Sequence, residues 1–338
     1  MLDRIETSMR KFATVLLFCA VATLVLSAQT KPLGLVSTAW PPFTDAAGRP
    51  RFALDLVEAA LGKFGMSATT TIVSAERFTP SLLTGSFDGS AAAWKDPQRE
   101  RVLLYSRAYL ENRLVLVGRK GSDVSAKQLA DLKGKKIAIV EGYAYGDSVY
   151  RAGPTFVPSR SEEDSLSRLL NGSVDYTLMD DLVVQYLISD FPKESAAKLE
   201  IGIIPLATRT LHLAVRRSRS DAESIVSRFN AQLKGMIADG TYHRLLHVDW
   251  IRADLNDDGK PVNVPASDHP GASEPQHVYS LFATTPSDLA SQPTTKPGFY
   301  FGGNIYSDWA SVPDSYKTPA NEQPDARRST ASIFTFRF

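Results

Sequence analysis

Two rhythms of apolar and polar residues alternate along this chain. Short apolar runs such as PLGLVS ending at Ser37, KIAIV over Lys136–Val140 and the stretch Val174–Met179 read as buried strands. Between them apolar residues recur at helical spacing. A helix from Phe52 carries Leu54, Val57, Ala60 and Leu61 on one face, and Gly65 stops it as a left-handed cap residue would. A longer one from Asp221 gathers Ile225, Val226, Phe229, Leu233, Met236 and Ile237 into one stripe and ends at Gly240; a stripe of that kind is core. Further strands are expected at Thr70–Val73, Ser90–Trp94 and Thr155–Val157. Helices are expected after Phe78, over Ala126–Leu132, from near Tyr145, over Ser161–Leu170 and over Asp181–Ile188. Ser161 with Glu162, Glu163 and Asp164 makes a good helix start, because hydroxyl and carboxylates meet free amide groups and a positive dipole end.

This order of elements is α/β with mainly parallel sheets. Two buried strands, Arg113–Val117 and Leu211–Val215, interrupt it, and after the first the pattern restarts. Two units joined by two crossings predict a two-lobed protein: 29–115 and 213–252 form the first lobe and 116–212 the second. A ligand cleft is expected between the lobes, beyond the carboxyl ends of the strands. After Trp250 the character changes, with 10 of the 20 prolines from Pro261 onward. Residues 253–338 are therefore expected to be a Pro-rich, partly irregular extension with short β elements. Within it, FYF-GG-NIY over Phe299–Tyr306 reads as a two-residue hairpin, and the terminal SIFTFRF alternates so that Phe334, Phe336 and Phe338 share a face.

At the other end, Arg10 and Lys11 precede an apolar run from Phe12 to Leu26 and the small residues Ser27 and Ala28. That layout is a secretory signal peptide over 1–28, cut after Ala28 or Ser27, with Met9 a second candidate start. The sole cysteine, Cys19, would leave with it, so disulfides and thiolate metal sites are excluded from the exported, periplasmic protein. Lys and Arg number 38 against 37 Asp and Glu, so no global field draws in nucleic acid.

Arg99, in the stretch WKDPQRERVLLYS, and Asp180, closing NGSVDYTLMD, are the most pointed chemistry in the chain. A free amino acid needs such a pair: a planar guanidinium for both carboxylate oxygens and a carboxylate for the ammonium. The plainer readings are a solvated basic turn with Lys95, Arg101 and Arg107, and a helix N-cap at Asp180 with Asp181 beside it. His243 and His247 stand four apart, a metal-ligand spacing with no third ligand in sight. Asp254, Asn256 and Asp258 in DLNDDG match the first half of a calcium loop, whose twelfth position is Pro265 rather than Glu.

Taken in order, WPPF with the helix FALDLVEAALGKFG, the run from Asp96 through Arg99 to Tyr105-Ser106 and Ala108-Tyr109, LKGKKIAIVEGYAYGD, GSVDYTLMDD and ADGTYHRLL resemble a known family over roughly Lys31 to Trp250. That family is the bacterial extracellular solute-binding proteins of the polar amino-acid class. The resemblance implies a type II periplasmic-binding fold, each lobe a mainly parallel sheet flanked by helices. It implies capture of an amino acid or related small carboxylate and delivery to an ABC permease in the inner membrane, with no cofactor and no enzymatic activity. It assigns Arg99 to the ligand carboxylate, Asp180 to the ammonium, Trp40 to stacking, and the loop Gly142, Tyr143, Ala144 and Tyr145 to the second lobe's contacts. Where many members have a serine-rich strand end, this chain has Ala91, Ala92, Ala93 and Trp94. Ala92 then offers only backbone, and Trp40 with Trp94 favours an apolar or aromatic ligand side chain. Two alternatives are open on the same fold. One is a hydrolyase similar to cyclohexadienyl dehydratases, with Glu141 or Asp180 as acid; the other is a sensing or interaction protein working through its tail.

Overall fold

Long antiparallel strands bend more easily than a packed parallel sheet, and this chain puts such a pair between two parallel half-sheets. The computed structural model describes residues 32–266, 271–275, 277–281 and 296–317. The expected signal peptide, Cys19 and the terminal SIFTFRF lie outside these residues. Among the described residues no helix is long and apolar enough to cross a membrane.

The first half-sheet comes from β1 (Leu33–Thr38), α1 (Phe52–Gly62), β2 (Ala68–Val73), α2 (Ala75–Thr84) and β3 (Gly89–Trp94). β1 pairs in parallel with β2 and β3 on either side. A short turn of helix, α3 (Pro97–Glu100), and β4 (Leu103–Tyr105) lead into β5 (Leu110–Arg119). The second half-sheet then forms from β6 (Lys136–Val140), α4 (Asp147–Tyr150), β7 (Thr155–Ser159), α5 (Glu162–Leu170) and β8 (Tyr176–Asp180), with β6 parallel to both neighbours. Two helices, α6 (Asp181–Asp190) and α7 (Pro192–Lys198), lead to β9 (Leu199–Arg216), which returns to the first half. The strand order β2-β1-β3-β9-β5-β8-β6-β7 places β5 and β9 in the middle. The molecule is thus a two-lobed α/β protein whose lobes share these two strands.

β5 and β9 pair antiparallel from Leu110 opposite Leu211 to Arg119 opposite Leu199, and the register shifts around Val115, which faces Pro205. Proline has no N–H for the ladder, so the ribbon is weakest there and can flex. β9 is 18 residues long, whereas the apolar pattern predicts only Leu211–Val215. Its first part is apolar at Leu199, Ile201, Ile203, Ile204 and Leu206, yet Gly202 and Pro205 interrupt it and most of it is half-exposed, so it does not read as one continuous buried strand. Similarly, the helix expected over Ala126–Leu132 is a single 3-10 turn at Leu129–Leu132. There the Asp131 carboxylate takes the Lys127 and Gln128 amide N–H groups and closes the turn locally.

The helical stripes are core. Ile225, Val226, Phe229, Leu233, Met236 and Ile237 of α8 (Ala222–Ala238) are all buried, and α8 packs with α9 (Thr241–Leu246) against α1. Each such side chain contributes about 1.5 to 3 kcal/mol on leaving water.

Past Trp250 the chain builds a second sheet: β10 (Trp250–Ala253), β11 (Val262–Pro265), β12 (Tyr279–Ser280), β13 (Phe299–Phe301) and β14 (Asn304–Tyr306), in the order β12-β10-β11-β13-β14. The expected hairpin is β13–β14, turning at Gly302 (φ 55°) and Gly303 (φ 85°), the left-handed pair a tight hairpin requires. Trp250, Phe299, Phe301 and Val312 form a small core of their own with Trp309. In the calcium-like loop, Asp254 spends its carboxylate on the N–H groups of Asn256, Asp258 and Gly259, and Asp257 pairs with Arg107 and Lys234. Among the described residues no three acidic or histidine side chains are grouped to hold a metal, His243 and His247 included. In DLNDDG the Asp254 carboxylate and Asp258 Oδ1, which accepts from the Lys260 N–H, cap the turn's own backbone.

Gly89 is where β3 comes closest to β9: a Cβ there would stand 1.9 Å from the Ala214 carbonyl oxygen. Gly89→Ala should destabilise the protein by roughly 3 kcal/mol, the upper part of the overpacking range, in chemical denaturation. Gly62→Ala, at a helix end with open space around it, is the control and should be neutral or stabilising by up to about 1 kcal/mol.

Candidate functional site

Arg99 is placed by a locally encoded device. Asp96 caps α3, its Oδ1 accepting from the Gln98 and Arg99 N–H groups, and Pro97 takes the first helical position. The turn swings the Arg99 guanidinium inward, where the side chain is only 3% exposed. Nε lies 3.0 Å from Asp96 Oδ2, Nη2 donates to Thr79 Oγ1 at 2.6 Å, and the ring of Phe78 lies 5.2 Å from Cζ. Nη2 also donates across the cleft, at 2.9 Å, to the Gly142 carbonyl in the loop after β6. Burial lowers the pKa of this guanidinium, and Asp96 opposes that shift.

Trp40 follows β1 in a loop closed on itself. Its backbone pairs with Thr44 around Pro41-Pro42, and the Thr44 hydroxyl donates to the Thr38 carbonyl. The indole therefore has a fixed place. It lies 4.4 Å from the Phe43 ring, 5.5 Å from Trp94 and 5.5 Å from Tyr143. Trp94 ends β3, its Nε1 donating to Asn112 Oδ1 at 2.7 Å. Together with Phe78, Ala92, Ala144 and Leu211, these groups enclose a cavity of about 20 Å³, faced also by Ser37, Thr38 and Arg99. That is space for one water molecule. The lobes stand closed on an aromatic cluster.

Of the residues singled out by sequence, Arg99, Trp40, Trp94, Ala92 and Tyr143 come together around this cavity. Tyr145 is fully buried behind Trp94, ring centroids 5.5 Å apart, and its hydroxyl accepts from the Val140 N–H. Asp180 also stands back from the cavity. It caps α6, with Oδ1 accepting from the Leu182 N–H and Oδ2 from Asn112 Nδ2 at 2.9 Å. Asn112 thus links it to Trp94. Burial and the neighbouring Asp181 push the Asp180 carboxyl well above the usual range. Arg99 faces the cavity, whereas Asp180 does not line it and reaches Trp94 through Asn112.

Sequence reasoning did not find Asn112, Thr79, Phe78, Arg209 or Glu162. Arg209, on β9, donates to the Lys95 carbonyl at 2.6 Å close to Arg99. Glu162 opens α5 in the second lobe yet is buried against Trp40 of the first. Its Oε2 has no hydrogen-bond partner among the described residues. Burial raises it from an ordinary 4.5 to about 8, and the Trp40 indole N–H is the one neighbour that favours its charge. No linear motif announces these contacts, since each joins segments far apart in the chain.

Residues 35–252 match the family described as bacterial extracellular solute-binding proteins, family 3. The chain belongs to that family. This solute-binding protein is 26% identical over 219 residues to the putative ABC transporter arginine-binding protein 2 of Escherichia coli (strain K12), covering 63% of this chain and 87% of that one. It is also 26% identical over 216 residues to ABC transporter arginine-binding protein 1 of the same organism, covering 62% and 86%. Among solved structures, an ancestral arginine-binding protein bound to arginine matches with a TM-score of 0.55 at 25% identity, over 65% of this chain and 98% of that one. The ligand-binding core of GluR0 with L-glutamate shares the fold alone, with a TM-score of 0.57 at 13% identity over 65% and 98%. The family match ends within β10, so β11 to β14 lie beyond the matched residues.

Glu162 should make lobe closure depend on pH. Below 4.5 its carboxyl is protonated whether the cleft is open or closed, and closure carries no charge penalty. As pH rises from 4.5 to about 8, a solvated Glu162 ionises first and the closed form loses stability, by roughly 1.4 kcal/mol per pH unit at most. In small-angle scattering the ligand-free protein should expand between pH 5 and pH 9, and Glu162→Gln should stay compact throughout. Equal pH responses from both proteins would exclude this carboxyl as the cause.

Proposed function

We propose that this protein captures an amino acid or related small carboxylate outside the cytoplasm and delivers it to an ABC-type importer. The observation that carries the reading is Arg99: a buried guanidinium that already bonds from one lobe to the other inside an aromatic-walled cleft. A ligand carboxylate is a stronger partner for it than the Gly142 carbonyl oxygen, because both partners are then charged. Opening about the β5–β9 ribbon admits the solute, and closing removes water from the new ion pair. Trp40 and Trp94 supply the aromatic walls, and the Ala92 strand supplies backbone. Asp180, held by Asn112, is the acceptor for a ligand ammonium once Asn112 makes way. The names of the curated relatives support an amino acid as cargo and an importer as partner. Export through the leader at 1–28 belongs to the same reading, as does the division into lobes at 115–116 and 212–213.

We assign the protein no reaction. None of the residues around the cavity is a carboxylate, and the two raised carboxyls nearby, Asp180 and Glu162, reach it only through Asn112 and Trp40. Glu141 is exposed.

A thermal-shift screen of the L-amino acids and simple carboxylates should find a stabilising ligand, worth about 2.7 kcal/mol at a hundred times its Kd. With that ligand, Arg99→Ala should weaken binding by about 2 to 5 kcal/mol in titration calorimetry. Unchanged affinity would remove Arg99 from the site.

A further inference from the structure

One loop of the second lobe meets both halves of the first lobe's site. The Gly142 carbonyl oxygen lies on Arg99 Nη2 at 2.9 Å, and the very next residue places its ring in the aromatic corner. Tyr143 stands 5.5 Å from Trp40 and 5.6 Å from Trp94, edge-on to both, while the two indoles are perpendicular and 5.5 Å apart. Edge-to-face contacts of this kind add about 0.5 to 1.5 kcal/mol each to the burial of a ring. The Tyr143 hydroxyl has only a long contact, 3.5 Å to Thr38 Oγ1, so the ring rather than the phenol oxygen is what the corner holds.

We infer that Gly142 and Tyr143 are an internal stand-in for the solute, and that the solute is a carboxylate joined by a short linker to a flat ring. This rests on the capture reading of the same cleft. The carbonyl oxygen marks the place of a ligand carboxylate oxygen on Arg99, and the phenol ring marks the place of a ligand ring between Trp40 and Trp94. When the lobes open, the loop withdraws and leaves both places to the ligand. A cationic side chain finds no counter-charge here. The cavity is faced by no carboxylate, and Glu162 lies beyond the Trp40 indole rather than in the corner. The alanine strand before Trp94 fits the same ligand, since a ring needs clearance where a polar side chain would need hydroxyls.

The test is titration calorimetry of the full exported chain with 3-phenylpropionate, L-phenylalanine, propionate, L-alanine, 2-phenylethylamine and L-arginine. At least one of the two ring-bearing carboxylates should bind about tenfold or more tighter than its ringless counterpart, and 2-phenylethylamine, with a ring and no carboxylate, should not bind. Tyr143→Ala, with an unchanged circular dichroism spectrum, should tighten the ring-bearing carboxylates several-fold by removing the resident ring. Weaker binding by that variant would overturn the stand-in. L-Arginine binding about tenfold tighter than either ring-bearing probe would overturn the ring assignment and leave solute capture intact. Failure of every carboxylate in the set would overturn the ring assignment, and solute capture would fall with it only if the thermal-shift screen of the L-amino acids also found no ligand.

Discussion

A buried guanidinium needs a counter-charge and acceptors, and the organisation of this cleft follows from where Arg99 gets them. Asp96 supplies the charge and Thr79 a hydroxyl from α2, while the last acceptor comes from the opposite lobe as the Gly142 carbonyl. The bond across the cleft makes closure favourable without a ligand, and it brings the ring of Tyr143 in with it. A neutral carbonyl is nonetheless a weaker partner than a carboxylate, so the arrangement is displaceable. Opposing it, Glu162 is sealed without a counter-ion when the lobes shut. Attraction at one end of the cleft and a desolvated carboxyl at the other thus act in opposite directions on closure of the empty protein.

Much of this architecture is legible in the sequence where physics is local. The α8 stripe, the Ser161 cap, whose hydroxyl accepts from the Asp164 N–H, and the Gly302-Gly303 turn each follow from short-range rules and appear as expected. Arg99 is singled out by its chemistry and by the spacing of the family resemblance, and the Asp96 cap with Pro97 that positions it is local as well. What was not legible is decided by long-range pairing. The first half of β9 is broken by Gly202 and Pro205, and pairing with β5 is what holds it as one strand. Asp180 shows the limit at the site itself: its residue type and position fit both an ammonium acceptor and an N-cap. The closed structure puts it to use as the cap, with Asn112 between it and the cavity. Glu162 looked like one more acidic residue in a helix's first turn, and only the fold reveals that Trp40 covers it.

The added sheet bears on the same balance, because its edge strand reaches the shared strands and the second lobe together. The Tyr279 hydroxyl donates to Asp181 Oδ1 at 3.2 Å, on the first residue of α6, and the Ser280 N–H donates to Glu111 Oε2 at 2.7 Å, on β5. Arg113 completes the cluster, 5.7 Å over the Tyr279 ring and 3.7 Å from Asp181. β12 is held to β10 by parallel pairing, and β10 continues directly from the lobe that carries α8 and α9. A segment tied in this way to one lobe, to the bending ribbon and to the helix that starts at Asp181 resists rotation of the lobes. Asp181 also adjoins Asp180, the group linked through Asn112 to Trp94, so the strap and the aromatic corner meet at one helix terminus. The family match stops short of this segment. Hinge stiffness in this protein is therefore set partly by residues that the shared two-lobed body does not contain.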